Sequence, residues 1–201
     1  MASSLVRGTE GYADDAPELV RRLESFSFAD VHQPVLHLIP NAPGSALDIG
    51  AGTGRDAAYL AEIGYCVVAV EPTDGLRIPG MVLHPSSLIE WVDDSLPDLA
   101  VVMGRHQTFD LVMLTAVWMH LDEEERRDAM PNLVSLLRSG GTMIISIRHG
   151  PVSPGRRAFE VSAEETIELA RAQGLALVLN LRTASVLEAD VTWTRLAFTR
   201  T

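Results

Sequence analysis

The segment ALDIGAGTGRD, Ala46 to Asp56, has the residue types that chemistry at a bound cofactor would need. An apolar run leads into Asp48, Gly50, Gly52 and Gly54 follow at alternate positions, and a helical pattern begins. Glycines let a chain turn tightly and let its backbone approach a ligand, while free N–H groups at a helix start attract negative charge. A plain tight turn is the bland alternative, but this density of glycine at a strand-to-helix junction favours a nucleotide-like site at the edge of an α/β sheet. The dinucleotide fingerprint is Gly-x-Gly-x-x-Gly, and here the third glycine arrives one position early, with Arg55 where that glycine would stand. Arg55 is either a clamp for a cofactor carboxylate or an exposed Arg at a helix start, where its charge is unfavourable. The second apolar run ends VVAVEP, so Glu71 is expected at a strand tip, where a carboxylate accepts hydrogen bonds from both hydroxyls of a ribose.

The elements that position these residues alternate between apolar runs and helical patterns, the signature of βαβ units and a parallel sheet buried on both faces. Strands are expected over Ser45 to Ile49, Val67 to Glu71, Leu88 to Val92, Phe109 to Thr115, Thr142 to Arg148, Ala176 to Leu181 and Trp193 to Thr199. A helix from Asp56 to Ile63 stops at Gly64 in a left-handed cap. Asp122 with Glu125 starts a helix that runs to about Arg138 and ends at Gly140-Gly141, and Ser162 with Glu165 makes a capping box for another that ends at Gly174. Asp122 to Arg127 is charged throughout with mixed signs, which reads as a solvated helix face. The stretch from Arg182 to Thr192 has no helical period and is shorter than the dozen or so residues of a parallel crossover, so the last strand should pair antiparallel. Ala16 to Phe26 and Ala29 to Leu38 read as two amphipathic helices across the carboxyl edge of the sheet.

Composition removes whole classes of function. All 16 basic residues are Arg, so no P-loop, no pyridoxal Schiff base and no Tyr-x-x-x-Lys dehydrogenase site can be built. With 27 acidic residues the net charge is −11, which repels a polyanion and argues against nucleic acid. No apolar run reaches the roughly 18 residues of a membrane span, and Asp14 and Asp15 interrupt any signal peptide, so a cytoplasmic protein is expected. Cys66 is the only cysteine, which excludes an internal disulfide and a thiolate-rich metal site. The six histidines show no metal-ligand spacing, and His32, His37, His84 and His106 read as ordinary surface or core residues.

The Gly-x-Gly-x-Gly run with Asp two residues ahead of it, the acidic strand tip and the terminal antiparallel hairpin resemble the class I S-adenosylmethionine-dependent methyltransferases. The resemblance spans Ser45 to Thr199. It implies one domain over residues 1–201, with a helical cap over 1–44 and a Rossmann-like core over 45–201. That core would be a seven-stranded, mostly parallel sheet with helices on both faces and a terminal antiparallel strand. It implies S-adenosyl-L-methionine as cofactor and a small-molecule methyl acceptor. Asp48, Gly50, Ala51, Gly52 and Gly54 look like the first motif around the methionine moiety, and Glu71, followed by Pro72, like the ribose carboxylate. WVDDSLP offers Asp93 or Asp94 for the adenine amino group. FDLVMLTAVWMHL resembles the fourth motif, with Thr115, Ala116 and the residues to Met119 forming the wall beside the sulfonium, and Trp118 and Met119 either lining the site or packing in the core. LLRSGGTMIIS is similar to the segment entering the fifth strand. TAVW is not the Asn/Asp-Pro-Pro-aromatic sequence of nucleobase amino methyltransferases.

His120 is the candidate general base, because it follows the fourth strand and imidazole titrates near neutral pH; a helix-capping or packing role competes with that reading. His149, at the tip of the fifth strand, is the reserve. Arg156 and Arg157, in the loop HGPVSPGRR, either recruit an anionic substrate group or are solvated. Tyr12 either folds over the cofactor or belongs to a loose tail. The rival functions are an NAD(P)-dependent oxidoreductase on a similar sheet and a cofactor-binding module without activity.

Overall fold

Apolar runs too continuous for a one-sided strand form the centre of the sheet, where both faces are covered. In the computed structural model, which describes residues 6–185 and 188–201, these are β1 (Gly44–Ile49), β2 (Tyr65–Val70), β3 (Ile89–Val92), β4 (Phe109–Thr115) and β5 (Leu137–His149), all parallel. β6 (Leu175–Ala184) and β7 (Thr192–Arg200) follow, and β7 runs antiparallel to both β5 and β6. The order is β3-β2-β1-β4-β5-β7-β6. Residues 1–5 of the expected cap and 186–187 of the expected 182–192 connection lie outside the described residues. Asp48 stands level with Ala69 of β2 and Met113 of β4, so the carboxyl ends of the three strands finish together.

Alternate residues face opposite sides of the sheet. Ala46, Val67, Leu111 and Met113 pack under α3 (Arg55–Glu62), α2 (Phe28–His32) and a 3-10 helix (Gln33–Leu38). Leu47, Val68, Val112 and Leu114 pack against α5 (Ala100–Met103), α6 (Glu123–Leu136) and α7 (Ala163–Ala172). α1 (Ala16–Leu23) lies over the carboxyl edge and packs on α4 (Asp74–Leu83), and a short 3-10 helix (Trp118–His120) follows β4. Of the two N-terminal helices expected across that edge, the second is instead α2 and the 3-10 helix, packed on α3 and β7. Among the described residues no helix is long and apolar enough to cross a membrane.

The boundaries differ where tertiary contacts outweigh local signals. Gly140 and Gly141 do not end α6; Leu137 is already extended, and both glycines lie in β5 beside a register shift between Phe109 and Leu111. A Cβ on Gly141 would come within 2.9 Å of the Arg138 carbonyl, so the glycine serves a bulged strand entry. The charged run at the start of α6 is not simply solvated. Arg126 is 3% exposed and donates to Glu165 and the Leu121 carbonyl. That pairing also halves the second expected capping box: Ser162 Oγ accepts the Glu165 N–H at 3.0 Å, but the Glu165 carboxylate goes to Arg126. The Asp122–Glu125 box has both arms, at 2.9 and 2.8 Å.

Gly54 caps α3 with φ +86°, and a Cβ there would lie 2.5 Å from the Trp91 ring. Gly140 has φ +77° with no described atom within 4 Å of the same position. Gly140→Ala should therefore cost only the left-handed backbone term, about 1–2 kcal/mol, whereas Gly54→Ala adds overpacking of about 1–3 kcal/mol. Urea unfolding of the two variants measures the difference; equal losses would mean that Trp91 gives way freely.

Candidate functional site

The carboxyl ends of β1, β2, β4 and β5 open on a cavity of about 370 Å³. The chain leaves β1 through Gly50, Ala51, Gly52 and Thr53 along its wall, while Gly54, expected among the cofactor residues, is outside the lining and packs toward the Trp91 ring. Glu71, one residue past β2, is 5% exposed and holds this turn: Oε2 accepts the Gly52 N–H at 2.9 Å and Oε1 the Thr73 N–H at 2.8 Å. Burial raises its pKa, and those two hydrogen bonds oppose the shift. Each carboxylate oxygen keeps a second lone pair for a ligand hydroxyl. Pro72 lines the same wall. Gly50 has a reason of its own to lack a side chain, since a Cβ would fall 2.3 Å from Val117 Cγ2 at φ +68°.

Below the turn lie two more carboxylates. Asp48 is buried, its Oδ2 has no hydrogen-bond partner among the described residues, and burial with the nearby Asp56 charge pushes its pKa well above the usual range. Asp56 is buried too, but partners surround it. His32 Nε2–H donates to Oδ2 at 2.7 Å, Thr115 Oγ1 donates to the same oxygen at 3.1 Å, and Arg55 places Nε and a terminal nitrogen 2.8 and 2.7 Å from Oδ1. Burial would raise this carboxyl, yet His32 and Arg55 outweigh it and hold Asp56 below the ordinary carboxylate range. Arg55 is thus neither a free clamp nor an exposed Arg. It lines the cavity with its fork engaged by the adjacent carboxylate.

Of the two adjacent acids, Asp93 is outside the cavity, 65% exposed and 3.4 Å from Arg77. Asp94 lines the cavity, and its carboxylate also caps α5, accepting the N–H groups of Val101 and Val102 at 2.9 Å each. Thr115, Ala116, Val117 and Met119 form a wall. Trp118 is absent from it: the ring is fully buried and Nε1 donates to Thr166 Oγ1 at 3.0 Å, so it is core packing.

His120 lies across the cavity from Glu71's end of the sheet. Its Nδ1 is 2.6 Å from the Arg157 carbonyl, which can only accept, so Nδ1 carries the proton and Nε2 accepts from the Tyr12 hydroxyl at 2.9 Å. Burial lowers the imidazole pKa and raises that of Tyr12, keeping both neutral. The Arg156 guanidinium stacks 3.8 Å from the Tyr12 ring centroid. His149 is a correction. It hydrogen-bonds Thr194 Oγ1 at 2.8 Å outside the cavity, because neighbouring strand residues face opposite ways and Arg148 takes the inward position. Arg157 likewise turns away, to Asp122 and Glu125 at 2.8 and 2.7 Å. Sequence reasoning missed His32, Arg148, Glu188 and Trp193, each brought in from a distant element with no local motif.

A family model described as a methyltransferase domain matches residues 47–145. The chain is 28% identical over 109 residues to an uncharacterised methyltransferase of Alkaliphilus oremlandii, covering 51% of this chain and 45% of that one. It is 28% identical over 135 residues to human glycine N-methyltransferase, covering 56% and 46%. The chain thus spans about half the length of these relatives. Its fold is similar to that of Burkholderia thailandensis 1,6-didemethyltoxoflavin-N1-methyltransferase, solved with 1,6-didemethyltoxoflavin and S-adenosylhomocysteine, with a TM-score of 0.69 at 21% identity over 100% of this chain and 93% of the other. The stretch that matches the methyltransferase-domain family takes in the glycine turn, Glu71 and the wall at Thr115, and the fold around it is similar to that of solved S-adenosylmethionine-dependent methyltransferases.

Proposed function

We propose that the protein binds S-adenosylmethionine and transfers its methyl group to a nucleophilic atom of a small-molecule acceptor. The observation that carries this is the Glu71 carboxylate, buried at the tip of β2, fixed by Gly52 and Thr73 and facing the cavity. Two features fit this cofactor better than a dinucleotide. The orphaned Oδ2 of buried Asp48 suits an ammonium group, and a pyrophosphate at the α3 start would meet the carboxylates of Asp48 and Asp56. The relative named glycine N-methyltransferase and the toxoflavin-precursor methyltransferase have small acceptors in their names, which supports the acceptor class.

S-adenosylmethionine, when bound, supplies an electrophilic methyl carbon on a positively charged sulfur. The chain's residues supply binding, orientation and exclusion of water. Glu71 accepts from the ribose hydroxyls, Asp48 and the Gly50–Gly54 turn hold the methionine portion, and Asp94 stands at the adenine end. Val117 and Met119 keep water from the reacting atoms. His120 acts through Tyr12: the hydroxyl faces the cavity and can take a proton from the acceptor while passing its own to Nε2.

Glu71→Ala should weaken S-adenosylhomocysteine binding at least tenfold by calorimetry, since charge-assisted hydrogen bonds contribute about 1.5–3 kcal/mol each. It should also destabilise the turn by freeing the Gly52 and Thr73 N–H groups. Unchanged affinity would remove Glu71 from the cofactor site.

Where the acceptor must lose a proton, Tyr12→Phe and His120→Gln should each lower kcat by about 10²–10⁴, and the double variant should be no slower than the worse single one. Because burial depresses the His120 pKa, the wild-type rate should hold down to about pH 6.5 and fall only below it. A pH profile that declines from a higher midpoint, or additive losses, would contradict the relay.

A further inference from the structure

The charges lining the cavity are sorted by position in the sheet. Over β3, β2 and β1 the lining carries Asp48, Asp56, Glu71 and Asp94 against Arg55 alone. Over β5 and β7, and in the segments covering them, it carries Arg22, Arg148 and Arg156 against Glu188 alone, while Arg7, also in the lining, lies 3.7 Å from Glu125 of α6. In a chain of net charge −11 this basic end is a local reversal of sign. Glu188 is shared, with Arg148 2.9 Å from Oε2 and Arg22 on Oε1, so one carboxylate serves two guanidinium groups.

Arg156 is the most buried of these cations. Its side chain is 10% exposed, and its ionic partner is Asp15 at 3.0 Å, itself 55% exposed. The Nε–H is buried with no hydrogen-bond partner among the described residues. Buried donors in folded proteins are rarely left unpaired, and a carboxylate is the group whose paired oxygens match a guanidinium edge. The remaining surface at this end is apolar, with Met119, Val152 and Trp193 in the lining. Arg156 also stacks on Tyr12, the hydroxyl proposed to receive the acceptor's proton, so a group anchored on Arg156 leaves the rest of its molecule beside that hydroxyl.

We infer that the methyl acceptor is a carboxylic acid with an apolar, ring-sized body, and that Arg156 anchors its carboxylate. The inference rests on the methyl-transfer reading for the word acceptor; the anion subsite stands on the lining itself. The cations gathered at this end of the cavity attract such an anion locally despite the acidic exterior.

The test is binding of benzoate, phenylacetate and 3-phenylpropionate against benzamide, phenylacetamide and benzylamine, at millimolar concentration, by thermal shift and calorimetry. Each is titrated into the protein alone and into the protein saturated with S-adenosylhomocysteine. At least one acid should bind and raise the Tm, while the amides and the amine do not. Arg156→Gln should lower that affinity at least tenfold with S-adenosylhomocysteine affinity within twofold of wild type, and Arg156→Lys, which keeps the charge, should recover part of it. Amides binding as well as acids, no acid binding in either form, or full benzoate affinity in folded Arg156→Gln would overturn the inference. If Arg156→Gln does not fold, the acid-against-amide comparison in the wild type and the Arg156→Lys result decide. Wild-type protein that takes up an acid but not S-adenosylhomocysteine would sink the methyl-transfer reading and keep the anion subsite.

Discussion

The Glu71 carboxylate sits where a parallel sheet ends; Oε2 accepts the Gly52 N–H and ties the tip of β2 to the loop that leaves β1, while Oε1 accepts the N–H of Thr73 two residues further on. Together with the Gly50 and Ala51 N–H groups, which donate to the Val70 carbonyl, the Gly52 bond shapes the alternating glycines into a cradle, where each glycine has φ above +50° and no side chain of its own to fix it. The constraint is mutual. A buried carboxylate is tolerated only with donors around it, and the Gly52 N–H in the middle of the turn is satisfied by it. The same group then offers its remaining lone pairs to the cavity, so one interaction both shapes the site and equips it.

Around that hinge point the chain distributes buried charge so that little is left uncompensated. Asp56 draws His32, Arg55 and Thr115 from three elements and stays ionised, whereas Asp48, a neighbour without a cation of its own, is pushed toward its protonated form. Two carboxylates so close share their environment unequally, and the unequal result leaves Asp48 Oδ2 as the open valence at the cofactor end. Among the described residues His32 Nδ1 and Arg195 Nε are also unpaired but lie outside the cavity lining; within the lining the second open valence is the Arg156 Nε–H at the far end. The reacting centre is expected between an unsatisfied acid and an unsatisfied cation.

How much of this is readable in the sequence depends on whether a residue's partners are its chain neighbours. The Gly50–Gly54 turn, Glu71 and the seven strands are legible because period, turn chemistry and strand tips are local. Asp93 and Asp94 are adjacent, and only the helix that Asp94 caps, α5, separates them; that short helix has no period to announce it. His149 fails by strand parity, one residue from the inward-facing Arg148. α4 contains Pro79 and Gly80, which argue against a helix, and Gly80 is required because a Cβ would strike the Thr53 carbonyl at 2.6 Å. His32 reaches Asp56 through a contact between elements far apart in sequence, so no spacing rule identifies it, and Tyr12, one of two readings from the sequence, lines the cavity only through its contacts with His120 and Arg156.

The central claim is that the cradle between β1 and β2 is built for S-adenosylmethionine. Parallel thermal-shift and calorimetric titrations of the wild-type protein with S-adenosylmethionine, S-adenosylhomocysteine and NAD(P) test it most directly. A ligand held by the folded state alone stabilises it by about 2.7 kcal/mol at a hundred times its Kd. Both adenosyl compounds should bind saturably and one to one with a raised Tm, and NAD(P) should give no shift. Stabilisation by NAD(P) alone, or by none of the three, would contradict it.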